Sequence, residues 1–310
     1  MKNLPKIAMG AWAWGDTDGY FGNTMTGEDF RPIFDAAVKA GLNLWDTATA
    51  YSNGESEKIL GRLVNDAGRE KIIVSTKFTP QMAGMYGDSV VKMCEASLER
   101  MNMEYFDIYW IHNPVGAPEY AKQLIPLLQS GKVKSVGVSN HNLAQIKEAD
   151  EVLKAAGSRV SAVQNHYSLL NRSSEESGIL DYCRANDIVF YGYMTLEQGA
   201  LSGRYDAGHP FPEGSARAKV FNPMLPQIEV ITAELKKIAE AHGVSAAQIA
   251  TAYAVNKGVL PILGVTKMYQ VEEAVKTVDI VLAAEEMASL EAAADRSGVS
   301  SIQFWESKME

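Results

Sequence analysis

The chain alternates short apolar runs with amphipathic runs, and this alternation restricts it to very few folds. The apolar runs are rich in Val, Ile and aromatic residues, which is typical of buried strands. Strands that alternate with helices form a parallel sheet, because each helix returns the chain to the same edge. The eight predicted strands are Lys6–Met9, Leu42–Asp46, Ile72–Phe78, Phe106–His112, Val133–Ser139, Ala162–Asn165, Ile188–Tyr193 and Leu260–Val265.

The runs between these strands have helical spacing. In Asp29–Ala40, for example, Ile33, Ala36, Ala37 and Ala40 lie on one helix face. Eight strand–helix units in 310 residues fit a (β/α)8 TIM barrel, which typically needs about 250 residues plus insertions. A doubly wound α/β sheet is the alternative, but no G-x-G-x-x-G sequence follows any predicted strand.

Two segments depart from the eight repeated units. Thr195–Leu225 contains several prolines and predicts a long loop after strand seven. Ala284–Asp295 predicts an extra C-terminal helix beyond the eighth unit. Because no linker, charge block or low-complexity tract interrupts the chain, we expect residues 1–310 to form a single α/β barrel domain.

Charge and cysteine content exclude several classes of protein. The formal net charge of −9 argues against a broad surface for nucleic acid or anionic membrane, since both need clustered Lys and Arg. No apolar run approaches the roughly 20 residues that span a bilayer, and the first ten residues do not resemble a signal peptide. Cys94 and Cys183 are far apart, which disfavours a disulfide framework. We therefore expect a cytoplasmic protein that acts on a small molecule.

Four side chains at predicted strand ends suggest catalysis, because barrel enzymes carry their sites at the carboxyl ends of the strands. Asp46 ends strand two, Tyr51 follows it, Lys77 lies near the end of strand three, and His112 ends strand four. A lysine cation beside a phenol lowers the phenol pKa, and a carboxylate would hold that lysine. A histidine could orient a substrate carbonyl. This set predicts general acid catalysis at a carbonyl that receives a hydride.

Each of these residues also has an ordinary structural interpretation. Asp46 could cap a helix, and Lys77 could lay its stem along apolar surface. Trp12, Trp14 and Trp110 could line an apolar substrate mouth or pack the core. The sequence slightly favours a position at the mouth for Trp12 only. The other histidines, which show no metal-ligand spacing and predict no metal site, are His141, His166, His209 and His242.

At this point the sequence resembles the aldo-keto reductases over nearly its whole length, in particular the bacterial and potassium-channel-β-like branches. These branches share the Q-G-x-L-S/T-G-K/R-Y stretch. The motifs that carry the resemblance are GAWAWGD (Gly10–Asp16), GLNLWDTATAYSNGESEKILG (Gly41–Gly61), STKF (Ser75–Phe78), DIYWIHNP (Asp107–Pro114), KVKSVGVSNHN (Lys132–Asn142), VQNHYSLLNR (Val163–Arg172), LEQGALSGRY (Leu196–Tyr205) and LPILGVTK (Leu260–Lys267).

The resemblance implies a (β/α)8 barrel and an NADPH-dependent reductase of aldehydes or ketones, with Tyr51 as proton donor and Asp46, Lys77 and His112 as its catalytic partners. It implies that Ser139, Asn140 and Gln164 hold the nicotinamide carboxamide and that Tyr193 stacks on the ring. The full set of implied cofactor contacts is Ala11, Trp12, Asp46, Ser139, Asn140, Gln164, Tyr193, Leu196, Gln198, Arg204, Gly264, Thr266, Lys267 and Gln270.

Departures from the family pattern concern the cofactor rather than the four catalytic positions. Met194-Thr195 replaces a commoner Ser-Pro, and Ala274 stands where many members have Asn. Gln270 occupies a position that is often Arg, so the resemblance implies NADP(H) but leaves NAD(H) possible.

Two other functions stay open on the sequence alone. The chain could be a regulatory or scaffold protein that binds the cofactor and turns over slowly. Alternatively, Lys77 could form a Schiff base, as in a barrel aldolase.

Overall fold

The computed structural model of the protein describes residues 4–17, 19–303, 306 and 309. Eight parallel strands close into a barrel in which each strand pairs with the next and β8 pairs with β1. The strands are β1 (Ala8–Gly10), β2 (Leu44–Asp46), β3 (Ile73–Phe78), β4 (Phe106–Ile111), β5 (Val133–Ser139), β6 (Ala162–His166), β7 (Val189–Tyr193) and β8 (Leu260–Gly264). The predicted (β/α)8 TIM barrel is confirmed.

Helices connect the strands. In the described residues the α-helices are α1 (Gly27–Lys39), α2 (Glu55–Ala67), α3 (Val90–Met101), α4 (Glu119–Lys122), α5 (Leu124–Gln129), α6 (Leu143–Lys154), α7 (Ser173–Glu176), α8 (Ile179–Ala185), α9 (Ala216–Phe221), α10 (Leu225–His242), α11 (Ala246–Asn256), α12 (Met268–Thr277) and α13 (Ala284–Ser297). Within the described ranges, none of these helices is both long enough and apolar enough to cross a membrane.

The barrel interior is a small apolar cluster separate from the larger core between strands and helices. Its buried members are Ala8, Leu44, Ile108, Trp110, Ala162, Tyr191 and Leu260. The indole of Trp110 fills the space beside Gly137 on the neighbouring strand, where a Cβ would lie only 2.4 Å from the ring. The interior is therefore packed with side chains, as is usual for this fold, and is not a channel.

The same inward-facing positions become polar at the carboxyl ends of the strands. Because side chains alternate along a strand, Asp46 lies on the same face of β2 as the interior residue Leu44. Gln164 likewise follows Ala162 on β6. The sheet register places Asp46 beside Ser75, and Lys77 two residues further along β3. The barrel interior thus has a layer of polar side chains at the carboxyl ends of the strands, directly above its apolar cluster.

The segment Thr195–Leu225, predicted as a long loop, is more structured than expected. It contains a 3-10 helix at Glu197–Ser202 and the short helix α9. The side chain of Ser215 accepts a hydrogen bond from the backbone N–H of Ala218, which caps α9 at its start. The predicted extra helix beyond the eighth unit is present as α13.

Candidate active site

A buried ion pair lies at the carboxyl ends of β2 and β3. The Lys77 ammonium lies 2.5 Å from Asp46 Oδ2 and donates a second hydrogen bond to the carbonyl oxygen of Thr47, at 2.7 Å. It lies 3.0 Å from the phenol oxygen of Tyr51, which completes its three donor bonds. The other Asp46 oxygen accepts from Ser75 Oγ at 2.6 Å. Lys77 is therefore fully partnered, fully buried and directed at the phenol.

His112 follows β4 and faces the same phenol. Its ring centroid lies 5.8 Å from that of Tyr51, with the two planes nearly perpendicular. His112 Nδ1 lies 3.1 Å from the hydroxyl oxygen of Thr79. When that hydroxyl donates to Nδ1, the other ring nitrogen carries the hydrogen and can donate to a substrate oxygen. The four predicted catalytic residues are thus brought together by three neighbouring strands.

Burial changes the proton affinities of this group. Burial raises the pKa of Tyr51 above its usual value of 10.0 and outweighs the opposing effect of Lys77, while Asp46 raises it further. The contact with Lys77 lowers the pKa of Tyr51, as expected, but the net effect of all its surroundings is a raised pKa.

The neighbours of Tyr51 respond to burial differently. Burial lowers the pKa of Lys77, but the contacts with Asp46 and Tyr51 outweigh it, and the pKa of Lys77 is raised. Burial, and then the charge on Lys77, hold the pKa of His112 well below its usual 6.5. At neutral pH the group therefore holds a phenol, an ammonium and a neutral imidazole.

A second set of polar side chains lies across the barrel mouth on β5, β6 and β7. Ser139 and Gln164 are register partners, and Gln164 Nε2 lies 3.3 Å from Asp46 Oδ1. Asn140 donates to the carbonyl oxygen of His112 at 2.9 Å, and its Oδ1 lies 2.5 Å from the Tyr193 hydroxyl. The residues implied as nicotinamide contacts are therefore connected to the catalytic group by hydrogen bonds.

The loop after β7 has an unusual backbone. Met194, Glu197 and Gln198 adopt positive φ angles of 60°, 48° and 53°, which non-glycine residues rarely do. Leu196, within this loop, is half-buried against the core. Gln198 Nε2 donates to the hydroxyl of Tyr20 at 3.0 Å, which joins the loop to the segment after β1. Strained backbone of this kind often marks a functional site.

Two implied cofactor residues already have protein partners. The Arg204 guanidinium donates to the Tyr269 hydroxyl at 2.6 Å and stacks over its ring at 4.3 Å. Gln270 Oε1 accepts from the backbone N–H groups of Thr266 and Lys267, at 2.7 and 2.8 Å. Gln270 therefore shapes the turn after β8.

The surroundings of this turn are open. Gly264 and Lys267 are exposed. Ala11, which follows the neighbouring strand β1, is buried, and its backbone N–H donates to the backbone carbonyl oxygen of Asp46.

Three aromatic rings form a wall beside the phenol, which we call the aromatic wall: Trp12, Tyr20 and Phe21. Trp12 stacks on Tyr51 with ring centroids 5.8 Å apart, and it contacts Tyr20 at 5.3 Å and Phe21 at 5.0 Å. Trp14 and Trp110 instead pack in the core, where both are fully buried. Of the three tryptophans that the sequence left open, Trp12 is therefore the one at the mouth.

Two of the other histidines are buried, and two are partly or largely exposed, where His209 contacts the Asp206 carboxylate and His242 contacts the Glu286 carboxylate. His141 is buried, and its Nδ1 lies 2.7 Å from the carbonyl oxygen of Ser139, so Nδ1 carries the hydrogen. Burial lowers the pKa of His141 to about 4. Among the described residues, no group of three His, Cys, Asp or Glu side chains is arranged to hold a metal ion.

The His141 contacts predict an acid-sensitive contribution to stability. The unfolded chain binds a proton at this residue near pH 6.5, whereas the folded protein binds it only near pH 4. The contribution is therefore present above pH 6.5 and is lost as the pH falls, by about 2–3 kcal/mol over this range. We expect His141→Asn to lose less stability than the wild type between pH 7 and pH 4, measured by urea unfolding.

The control for this comparison is His209→Asn, because His209 is exposed. That variant should follow the wild-type pH dependence. If His141→Asn follows it too, His141 does not titrate as the burial indicates.

Sequence reasoning missed residues that join the site from a distance. The Thr79 hydroxyl contacts His112, and the Thr47 carbonyl oxygen accepts a hydrogen bond from Lys77. The only sequence signal for either residue is its position close to a predicted catalytic residue. A buried cluster of His166, Glu197 and Glu306 lies behind Tyr193. A buried histidine between two carboxylates has no sequence signature when its partners are 31 and 140 residues away.

Comparisons with known proteins agree with the barrel fold. A solved glycerol dehydrogenase from Gluconobacter oxydans is 26% identical, with a TM-score of 0.81 over 98% of this chain and 96% of that one. Pyridoxal reductase, chloroplastic, from Arabidopsis thaliana is 29% identical over 97% of this chain and 86% of its own length.

An aldo-keto reductase of Alternaria alternata is 31% identical over 84% of this chain and 81% of its own length. A sequence model described as the aldo/keto reductase family matches residues 6–295. The chain therefore belongs to the aldo/keto reductase family.

Proposed function

We propose that this protein reduces an aldehyde or ketone to the alcohol with NADPH, with Tyr51 as the proton donor. The observation that carries the proposal is the buried chain of contacts from Asp46 through Lys77 to the Tyr51 hydroxyl, with His112 facing the same phenol. This arrangement supplies one proton and one hydrogen-bond donor at a single point of the barrel mouth. A carbonyl oxygen that becomes an alkoxide needs both.

Each residue then has a separate task. Tyr51 transfers its phenolic proton to the carbonyl oxygen, and Lys77 stabilises the tyrosinate that is left. Asp46 holds Lys77 charged and oriented. Neutral His112 donates a hydrogen bond that fixes the direction of the carbonyl. A bound nicotinamide supplies the hydride.

The residues at the mouth fit a nicotinamide dinucleotide. Ser139, Asn140 and Gln164 present hydroxyl and amide groups that suit a carboxamide, and Tyr193 presents a half-buried ring for stacking. Gln198 Oε1 is buried and has no hydrogen-bond partner among the residues that the structure describes, so it can accept from a bound molecule. A related barrel from Klebsiella pneumoniae, 23% identical with a TM-score of 0.75, was solved in complex with NADPH. We therefore propose NADP(H) as the cofactor.

The state of Lys77 argues against the aldolase alternative. A Schiff base forms from a neutral amine, whereas Lys77 donates to three acceptors and has a raised pKa. The scaffold alternative requires negligible turnover, which the complete catalytic group does not favour. Single-turnover oxidation of bound NADPH, followed by its near-ultraviolet absorbance, separates a scaffold from an enzyme.

The aromatic wall favours flat, apolar carbonyl substrates. Trp12 stacks on Tyr51 and Phe21 packs edge-on against Trp12, and aromatic ligands gain from contacts with such rings. A panel of aromatic and small aliphatic aldehydes and ketones, assayed with NADPH and NADH in parallel, tests the proposed function. The absence of NADPH oxidation with every carbonyl would contradict it.

Cofactor preference is expected to depend on Lys267. Its exposed ammonium follows β8, where barrels often bind phosphate, and it can pair with the 2′-phosphate that NADPH has and NADH lacks. One charged hydrogen bond is worth about 1.5–3 kcal/mol, and less where it is exposed, so we expect at most about tenfold to hundredfold discrimination. Lys267→Ala should weaken NADPH binding, measured by quenching of protein fluorescence, and leave NADH binding nearly unchanged.

Lys276→Ala is the matched control, because Lys276 is an exposed lysine in the last turn of α12, the helix that begins directly after Lys267. It should affect neither cofactor. Equal losses for both cofactors in Lys267→Ala would show that Lys267 does not contact the 2′-phosphate.

A further inference from the structure

The backbone is strained directly after Tyr51, the proposed proton donor. Ser52, Asn53 and Gly54 have φ angles of 48°, 52° and 88°, so three successive residues lie in the left-handed region. Non-glycine residues rarely adopt this conformation, and it persists only where the surrounding structure holds it. The turn that sets the position of the Tyr51 side chain therefore needs support from outside itself.

Arg100 on α3 lies directly against this turn. A Cβ at Gly54 would lie only 2.7 Å from Arg100 Nε and 3.1 Å from its Cζ, so the guanidinium packs against the glycine backbone. Gly54 is buried, and the side chain of Arg100 is only 16% exposed. Glycine at this position permits both the left-handed backbone and the close approach of the guanidinium.

Arg100 is itself fixed by partners on other elements. It forms an ion pair with Glu57 in the first turn of α2, whose side chain is fully buried. Glu57 also accepts a hydrogen bond of 2.6 Å from the hydroxyl of Thr76, the residue before Lys77 on β3. Arg100 donates in addition to the Tyr86 hydroxyl, at 3.2 Å. The guanidinium is therefore held in place by α2 and by the segment after β3.

The helix α3 reaches the other side of Tyr51 through Ser97. Ser97 Oγ accepts from Arg100 at 3.3 Å and lies 3.0 Å from the hydroxyl oxygen of Thr49. Ser97 and Arg100 are three positions apart, so they lie on the same face of the helix. Tyr51 is thus flanked by two contacts with α3, one at Thr49 and one at Gly54.

We propose that Arg100 is a positioning residue for Tyr51: together with Ser97, it holds the left-handed turn that places the phenol 3.0 Å from the Lys77 ammonium. This inference rests on the proposed function, because it takes Tyr51 as the proton donor. Arg100 acts through the backbone of the turn and supplies no proton to the reaction. Its alteration is therefore expected to lower kcat without weakening NADPH binding.

Arg100→Lys is the substitution that separates positioning from folding. The lysine keeps a cation beside buried Glu57, so neither charge is left alone. An ammonium is a single point charge, however, and cannot replace a guanidinium that reaches Glu57, Ser97 and Tyr86 at once. We expect kcat to fall about tenfold to hundredfold, since misplacement of a catalytic group by about 1 Å can cost this much.

The experiment is a double-substitution cycle read by kcat. Carbonyl-dependent NADPH oxidation is measured for the wild type, Arg100→Lys, Tyr51→Phe and the double variant. Because Arg100 acts through the Tyr51 phenol, Arg100→Lys should cause no further loss of kcat once that phenol is absent. The NADPH dissociation constant, measured by protein fluorescence, and the KM for the carbonyl should not change in Arg100→Lys.

Arg69→Lys is the matched control. Arg69 is 14% exposed and pairs with Asp107 near the amino end of β4, away from the barrel mouth. Urea unfolding should show a loss of stability in this variant as in Arg100→Lys, but Arg69→Lys should keep the wild-type kcat.

A folded Arg100→Lys protein with wild-type kcat overturns the inference, and so does an equal loss of kcat in the Tyr51→Phe background. Ser97→Ala is the second variant, because it removes only one hydroxyl group. It should lower kcat about threefold to tenfold, as for one hydrogen bond. An unchanged kcat in Ser97→Ala overturns the inference even if Arg100→Lys fails to fold. A wild type that oxidises NADPH with no carbonyl contradicts the proposed function, and the inference falls with it.

Discussion

Lys77→Met is expected to abolish carbonyl reduction and to destabilise the fold at the same time. Lys77 is the cation at the Tyr51 hydroxyl and also the partner of buried Asp46. Without it the phenolate loses its stabilising charge, and the pKa of Tyr51 rises further above 10. Removal of one member of a buried ion pair typically costs about 3–5 kcal/mol, since the other charge stays buried. Steady-state turnover and urea unfolding measure the two effects.

A second substitution separates these effects. The double variant Lys77→Met with Asp46→Asn carries neither buried charge, so it should recover much of the lost stability and none of the activity. Lys134→Met is the control, because Lys134 is an exposed lysine on β5 that pairs with Asp107. A Lys77→Met protein with an unaltered pH–rate profile would contradict the role of Lys77 beside Tyr51.

Tyr51→Phe is expected to reduce turnover by about 10²–10⁴-fold, the usual worth of general acid catalysis. The ring remains, so its stacking on Trp12 and the shape of the mouth are kept. Lys77 keeps its bonds to Asp46 and the Thr47 carbonyl, and NADPH affinity should therefore be nearly unchanged. Carbonyl-dependent NADPH oxidation gives the turnover, and protein fluorescence gives the affinity.

The matched control is Tyr105→Phe. It removes the hydroxyl of a tyrosine that lies outside the barrel mouth, with Arg69 and Lys134 over its ring. It should keep wild-type turnover. More than half of the wild-type rate in Tyr51→Phe would exclude Tyr51 as the proton donor.

The strands could be predicted because their composition reflects burial on both faces. The predicted bounds of Val133–Ser139 are those of the structure, and the other predicted strand ends either coincide with the observed ones or differ by one or two residues. The four catalytic candidates were found for a related reason, since the carboxyl ends of parallel strands meet at one mouth. Their net proton affinities could not be predicted, because burial outweighs Lys77 at the Tyr51 phenol.

Non-local contacts account for most of what the sequence did not indicate. Glu306 binds Tyr193 across 113 residues, and Arg204 pairs with Tyr269 across 65. No periodicity or motif encodes which distant side chains meet after the barrel closes. The helix α9 was missed for a different reason: it is six residues long and lies in a segment rich in prolines.

Closure of the sheet also protects the protein from aggregation. Strands rich in valine and isoleucine pair readily with strands of other molecules when an edge is exposed, and a closed barrel has no edge. The shortest junctions are β1–β2 and β7–β8, each with two registered residue pairs, whereas β8 and β1 share three. Separation at both short junctions would release β8 together with β1 and expose the edges of β2 and β7. Partly unfolded molecules are therefore most prone to associate through these two edges.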